Sequence, residues 1–326
     1  MEHKLIIMEG THVMEKDAIG ETVGFSVHAS GTRKALEQVG VKFAKEKEGA
    51  DLVFHQVPAH LVKRIDGLPN VLYTAYESLD LPKEYSEPAG RMDAIIGVSE
   101  FVSRAFRRAF PDKFIKTCSL GVDTKLFSYK KRRYSEPFIY LWIGQPSMRK
   151  GWNLLREAWY HFSGRKDCVL IVKTTGRGKL ERAQNVIVDS RKIGMEEMVN
   201  LYHLAHCFIS TSYSEGFCLP LAEAMATGLP CIYVPWGGVT DFANRKTAFP
   251  VKYNEVGVRY GTDTIGAEAD VNDLVNTMQE IKNNYRRALV KGKEVSRYVN
   301  QNLTWQHTGR KMIFILQEFL KNYNHN

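Results

Sequence analysis

The chain has 326 residues, 44% hydrophobic and 25% charged, an ordinary globular balance that excludes wholesale disorder. That length suits two average domains or one large one, and no run of about 18 apolar residues is present to form a membrane-spanning helix. The 45 Lys and Arg against 36 Asp and Glu give a net charge of +9, which favours an anionic counterpart: nucleic acid, a membrane surface or a phosphorylated substrate.

The opening MEHKLIIMEG is charged and reads as a first strand, because its apolar stretch is too short for a signal-peptide core. The segments KLIIM, DLVFH, NVLYTAY, DAIIGVS and IKTCSL read as buried strands. Between the first two, helical spacing runs from Ala29 to Val39 and stops at Gly40. SEFVSRAFRRAF is an amphipathic helix with Ser99 as N-cap and Phe101, Ala105 and Phe106 turned inward. A basic run follows, carrying Arg104, Arg107, Arg108, Lys113, Lys116, Lys125, Lys130, Lys131, Arg132 and Arg133 against Asp112 and Asp123 alone. It reads either as a solvated helix face with a polar linker or as a surface for an anionic acceptor.

YKKRRYSEP is a polar interruption, after which strand and helix alternation restarts. FIYLWIG, CVLIVKT, NVIVDS, CFISTS and CIYVPW read as strands; GWNLLREAWYHF, MEEMVNLYHLA and LPLAEAMATG read as helices. From Asp270 onward the chain is helical and rich in polar residues, ending in TWQHTGRKMIFILQEFLKNY. The expected architecture is α/β, with two doubly wound Rossmann-like domains in tandem. The expected boundaries are 1–131 for the first domain, 132–304 for the second, and 305–326 for a last helix returning to the first. Open parallel sheets bind ligands beyond the carboxyl ends of their strands, so a cleft between the domains is the expected site. The five cysteines (Cys118, Cys168, Cys207, Cys218, Cys231) are scattered without a CxxC, which points to a reducing cytoplasm and against a zinc or disulfide framework.

The most informative segment is STSYSEGFCLPLAEAMATGLPCIYVPWGG, residues 210–238. Glu215 lies in a strand-to-helix loop, and Glu223 sits about one turn inside the helix that begins near Leu219. Gly216, Phe217, Cys218 and Leu219 lead into the helix amino terminus, where unpaired N–H groups and the dipole favour phosphate. The two carboxylates can accept hydrogen bonds from sugar hydroxyls; their bland alternative is simple complementation of the helix dipole. No HExxH or DxD pattern suggests a metal.

EGFCLPLAEAMATGLP resembles the E-x7-E signature of the retaining GT-B glycosyltransferases of family 4, with Cys218 where that family most often has Gly. YTAYESLDLP, SLGVDTKLF, YLWIGQPSMRKGWNLLREAW, VIVDSRKIGMEEMVNLYHLAHCFISTS, WGGVTDF (Asp241 for the family's Glu) and Trp305 resemble the same family's landmarks in order. The resemblance implies a GT-B fold and a metal-independent, front-face transfer of a hexose from a nucleotide sugar, UDP-linked by family base rate, with no cofactor. It places Lys150 on the donor diphosphate. The family arginine is replaced by Gln145, next to Gly144, so Arg149 is the candidate for the second charge. Lys173 stands where the family has a small residue and either approaches the donor or points to solvent. Arg191 falls in the loop that the family uses near the base. Glu77 is an acceptor-side candidate, and Gly10 and Thr11, with Gly20 and Gly24 as displaced equivalents, would lie under the donor phosphates.

The acceptor is open: a saccharide or cell-envelope component first, a hydroxylated base of DNA second, with peripheral membrane contact compatible with the charge. Two readings of another class remain. A nucleotide-sugar epimerase shares the domain plan but needs acid and base groups. A non-catalytic nucleic-acid-binding protein explains the charge but leaves Glu215 and Glu223 without a purpose.

Overall fold

The computed structural model describes residues 5–12, 23–175, 184–259 and 263–324, so Gly20 lies outside the described residues. The chain divides into two compact units, Met1–Gly121 with Leu303–Asn326, and Val122–Asn302.

In the first unit β1 (Ile6–His12), α1 (Val23–Gln38), β2 (Lys42–Ala44), β3 (Leu52–Gln56), β4 (Asn70–Thr74), α2 (Lys83–Gly90), β5 (Ala94–Gly97), α3 (Glu100–Ala109) and β6 (Phe114–Thr117) follow one another. Their strands make one parallel sheet in the order β2-β1-β3-β4-β5-β6. Every residue of β3, β4 and β5 is buried, as expected of central strands covered by helices on both faces. At the start of α3 the Ser99 hydroxyl accepts from the Val102 N–H, and Phe101, Ala105 and Phe106 are buried.

The second unit runs β7 (Phe138–Ile143), α4 (Trp152–His161), β8 (Cys168–Lys173), β9 (Val186–Asp189), α5 (Met195–Leu204), β10 (Cys207–Ser210), α6 (Leu219–Ala226), β11 (Cys231–Tyr233) and β12 (Phe249–Pro250). These strands form a second parallel sheet in the order β12-β11-β10-β7-β8-β9. An antiparallel hairpin, β13 (Tyr253–Arg259) and β14 (Asp263–Ala269), precedes α7 (Val271–Asn283) and α8 (Tyr285–Asn302). Phe138, Tyr140, Trp142, Trp159 and Phe162 fill the core beneath α4, each such side chain stabilising the fold by about 1.5–3 kcal/mol. The final helix, α9 (Trp305–Tyr323), belongs to the first unit, where Thr308 donates to the Ser119 carbonyl and Phe319 meets Phe114.

Each unit thus holds a six-stranded parallel sheet with covering helices, the α/β, Rossmann-like architecture expected from the sequence. Several elements depart from the pattern read in the sequence, the short strands β2 and β12 among them. α1 starts at Val23, six residues before the expected Ala29, because its early turns bury the polar Ser26 and His28 and so lack a clean apolar stripe. α2 is short and polar and holds Pro88, and the β13–β14 hairpin intersperses glycine, charged and polar residues among its apolar ones; neither offers the periodicity that announces an element. Among the described residues no helix is long and apolar enough to cross a membrane.

Candidate active site

β7 and β10 are neighbours in the second sheet, so the loops that leave their carboxyl ends come together. The first loop, residues 144–151, ends on Gly151, which has φ +65° and caps α4; a Cβ there would overlap the Thr211 carbonyl. Only glycine meets both demands. Thr211 Oγ1 donates to the carbonyls of Gly151 (2.9 Å) and Lys150 (3.2 Å), and the Tyr213 N–H donates to the Arg149 carbonyl (2.8 Å). The basic turn is thereby fixed against the loop that carries Glu215.

The charges meet across that junction. Lys150 Nζ lies 2.5 Å from Glu215 Oε1, Arg149 Nη1 lies 3.4 Å from Oε2, and Ser212 Oγ donates to Oε1 at 2.7 Å. The side chains of Glu215, Lys150 and Arg149 are 7%, 19% and 13% exposed. Burial alone would raise the Glu215 carboxyl, but Lys150, then Arg149, hold it below the usual carboxylate range. Its stabilising contribution is therefore present above about pH 4.5 and is lost as pH falls through the lower folded value. Lys150 and Arg149 thus both bring positive charge to the loop that leads into α6; at the helix start itself Pro220 has no N–H and the Leu221 N–H already donates to the Cys218 carbonyl (3.2 Å). Such a set can hold a diphosphate and stabilise it as it leaves.

The backbone around Glu215 is held as closely as its side chain. The Gly238 N–H donates to the Glu215 carbonyl (2.7 Å), and a Cβ on Gly237, at φ +80°, would lie 2.6 Å from that oxygen. Phe217 is buried against Phe242, with ring centroids 5.0 Å apart. Cys218 has φ +74°, the left-handed conformation that glycine adopts freely, which gives a physical reason for a glycine preference at this position. Burial pushes the Cys218 thiol up to about 12, so it is neutral and poorly nucleophilic at physiological pH.

Glu223, on α6, accepts a hydrogen bond from Tyr202 Oη of α5 at 2.7 Å. Burial raises its carboxyl to about 7, the Tyr202 hydrogen bond opposing the shift. The stability of the neutral acid is complete below the usual value of 4.5 and is lost as pH rises through about 7. For a half-buried carboxyl this amounts to about 1–2 kcal/mol. The buried His28 and His206, lowered to about 3 and 4, titrate with the opposite sign, so the effect is read as a difference. Between pH 5 and 8 the melting temperature of Glu223→Gln should gain on that of the wild type; parallel curves would remove the assignment.

The remaining candidates are more dispersed. The Gly144 N–H donates to the Lys173 carbonyl (3.0 Å), and the Gln145 carbonyl accepts from the Ser147 N–H (2.7 Å). Lys173 does not point to solvent. Its buried ammonium donates to the carbonyls of Thr174, Asp189 and Arg191 and lies 3.7 Å from the Asp189 carboxylate. Arg191 pairs with Asp189 at 2.9 Å, which takes that carboxyl down to about 2. In the first unit Glu77 follows β4, and Thr11 donates its N–H to His55 Nδ1 (2.9 Å) beside Gly10, where a Cβ would strike the same ring.

Much of the basic run is already partnered. Arg107 pairs with Glu100 (2.5 Å), Arg108 with Asp80 (3.8 Å) and Lys116 with Glu318 (2.6 Å). Arg132 does not present an open cationic surface: its guanidinium donates to the carbonyls of Lys130, Tyr202, Ala205 and Thr227 within the second unit. Arg104, Lys130, Lys131 and Arg133 are exposed. Ser212, Tyr202 and Tyr213 escape the sequence reading; only the polar composition of STSYSEG signals the first, and nothing signals the pairing of Tyr202 with Glu223.

Residues 137–260 match the family model described as glycosyl transferases group 1. Solved structures share the fold over nearly the whole chain. Sucrose-phosphate synthase from Thermosynechococcus elongatus is 17% identical, with a TM-score of 0.71 over 98% of this chain and 100% of that one. A glycosyltransferase from Rickettsia africae is 15% identical, with a TM-score of 0.70 over 98% and 99%. The Anabaena protein HepE, solved in complex with UDP-glucose, is 14% identical, with a TM-score of 0.71 over 97% and 100%. No curated protein sequence matches the chain. The family model and these neighbours together indicate a glycosyltransferase.

Proposed function

We propose that the chain is a retaining, metal-independent hexosyltransferase that takes a hexose from a UDP-sugar and passes it to an acceptor hydroxyl. The observation that carries this reading is the Arg149–Lys150–Glu215 cluster at the carboxyl ends of β7 and β10. Lys150 and Arg149 supply the positive charge that the departing diphosphate needs. Glu215, and Glu223 one helical turn into α6, accept hydrogen bonds from donor hydroxyls. The complex of HepE with UDP-glucose supports a uridine donor for a protein of this fold.

In the proposed step the bond between the anomeric carbon and the diphosphate oxygen breaks, and the acceptor oxygen bonds to the same face of that carbon. The acceptor proton passes to the leaving diphosphate oxygen, so no protein nucleophile takes part. The local pairing of Arg107, Arg108, Lys116 and Arg132 leaves less free positive charge than composition suggests, which favours a saccharide acceptor over DNA. The product anomer, followed by NMR from an α-linked donor, should be α. A β product would demand a general base and sink the front-face step.

A further inference from the structure

We propose that the β13–β14 hairpin positions the donor site, with Glu268 acting through Tyr213 to set the aim of Glu215 and of the Arg149–Lys150 turn. The inference rests on the donor-site reading above and adds to it a device outside the two loops.

Tyr213 joins three parts of the second unit. It lies two residues before Glu215 and directly after Ser212, whose hydroxyl donates to the Glu215 carboxylate. Its N–H donates to the Arg149 carbonyl, and its own carbonyl accepts from the Ala267 N–H of β14 at 2.8 Å. Its buried hydroxyl donates to Glu268 Oε1 at 2.8 Å and accepts from Asn153 Nδ2 of α4 at 3.3 Å. A second hold comes from β13: Tyr253 packs edge-on against Trp236, with centroids 5.9 Å apart. Trp236 leads into Gly237 and Gly238, which fasten the Glu215 carbonyl. The hairpin thus reaches the backbone on both sides of the carboxylate.

Adhesion of the hairpin does not depend on the Glu268 contact. Val258, Ala267 and Ala269 lie in the hydrophobic core, and Tyr253 and Val256 pack against it. Alternation along β14 puts Glu268 on the face opposite Ala267 and Ala269, where it meets Tyr213, a side chain joined through its backbone to the cation turn. A hydrogen bond to a fixed side-chain acceptor adds direction to a hold that apolar packing leaves loose. Glu268 is accordingly a positioning residue.

The test uses the full chain and calorimetric titration with UDP, GDP and ADP. Glu268→Ala should weaken binding of the preferred nucleoside diphosphate about tenfold, since small misplacements of site groups have costs of this order. Tyr213→Phe, which keeps the ring and its core packing, should do the same. Glu268→Gln, whose amide oxygen still accepts from Tyr213, should restore affinity to within about threefold. In a Lys150→Ala background the Glu268→Ala loss should shrink below about twofold, because both act through the same turn. Wild-type affinity in Glu268→Ala and Tyr213→Phe, or an equal loss in the Lys150→Ala background, would overturn the inference and leave the donor site standing. Wild-type affinity in Lys150→Ala, or no nucleoside diphosphate bound by the wild type, would overturn the donor site and the inference with it.

Discussion

Lys150→Ala should lower turnover about a hundred- to thousandfold while weakening donor binding only about tenfold. The Lys150 ammonium is 2.5 Å from Glu215 in the resting site, so its charge is already balanced before the donor arrives. The demand for a cation grows as the C–O bond breaks and negative charge gathers on the diphosphate, so the interaction is stronger in the transition state than in the bound donor. Loss of one preorganised contact of this kind costs about 2.7–4 kcal/mol. Arg149 sits farther from the carboxylate, at 3.4 Å, and its removal should cost less, about tenfold. Lys150→Arg keeps the charge and should recover part of the rate. The truncation also leaves the buried Glu215 with Arg149 as its nearest cation and the Ser212 hydroxyl as its donor, which should destabilise the fold by roughly 1–3 kcal/mol. Steady-state kinetics with melting curves on the same samples separate the two effects. Unchanged turnover would withdraw Lys150 from the diphosphate.

What the sequence shows of this molecule is its local periodicity. The central strands and α3, with its Ser99 cap, are legible because each buries an apolar face at a single period. Glu215 and Glu223 stand out because a short segment holds both carboxylates and, between strand and helix, Gly216. The contacts between segments are not legible. Glu223 finds Tyr202 on another helix, and Tyr213 finds Glu268 on a hairpin 55 residues away in the chain. The amino-terminal half of α1 is hidden by its buried polar residues, and Lys173 by chemistry that composition treats as surface. Lys173 is buried because three backbone carbonyls and Asp189 gather around its ammonium, an arrangement that exists only after β8 and β9 pair.

Arg132 is the clearest case of a residue whose place in a basic run conceals its role, and Arg132→Ala should be among the most destabilising substitutions on the surface of the second unit. Its Nε donates to the Ala205 carbonyl (3.3 Å), Nη1 to Thr227 (2.6 Å) and Lys130 (3.0 Å), and Nη2 to the Tyr202 carbonyl (3.0 Å) and Thr227 Oγ1 (3.1 Å). Ala205 and Thr227 are the C-caps of α5 and α6, so one guanidinium closes two helix ends where carbonyls lack partners and the dipoles favour a cation. No carboxylate shares the position among these contacts, and burial lowers the guanidinium's pKa, yet it stays charged at neutral pH because arginine starts far above it. Truncation abandons five charge-assisted hydrogen bonds and should cost about 3–5 kcal/mol, comparable to breaking a buried ion pair. For a unit of this size that lowers the melting temperature by roughly 10 °C. Arg132→Lys should recover little, since a single ammonium cannot reach both helix ends in the geometry of a planar fork. The exposed neighbours Lys131 and Arg133 should tolerate alanine within about 0.5 kcal/mol. The Tyr202 carbonyl is held by Arg132 and the Tyr202 hydroxyl by Glu223, so the same substitution should loosen α5 against α6 and weaken donor binding in parallel. Thermal unfolding of Arg132→Ala within about 2 °C of the wild type would return this arginine to the solvated basic face.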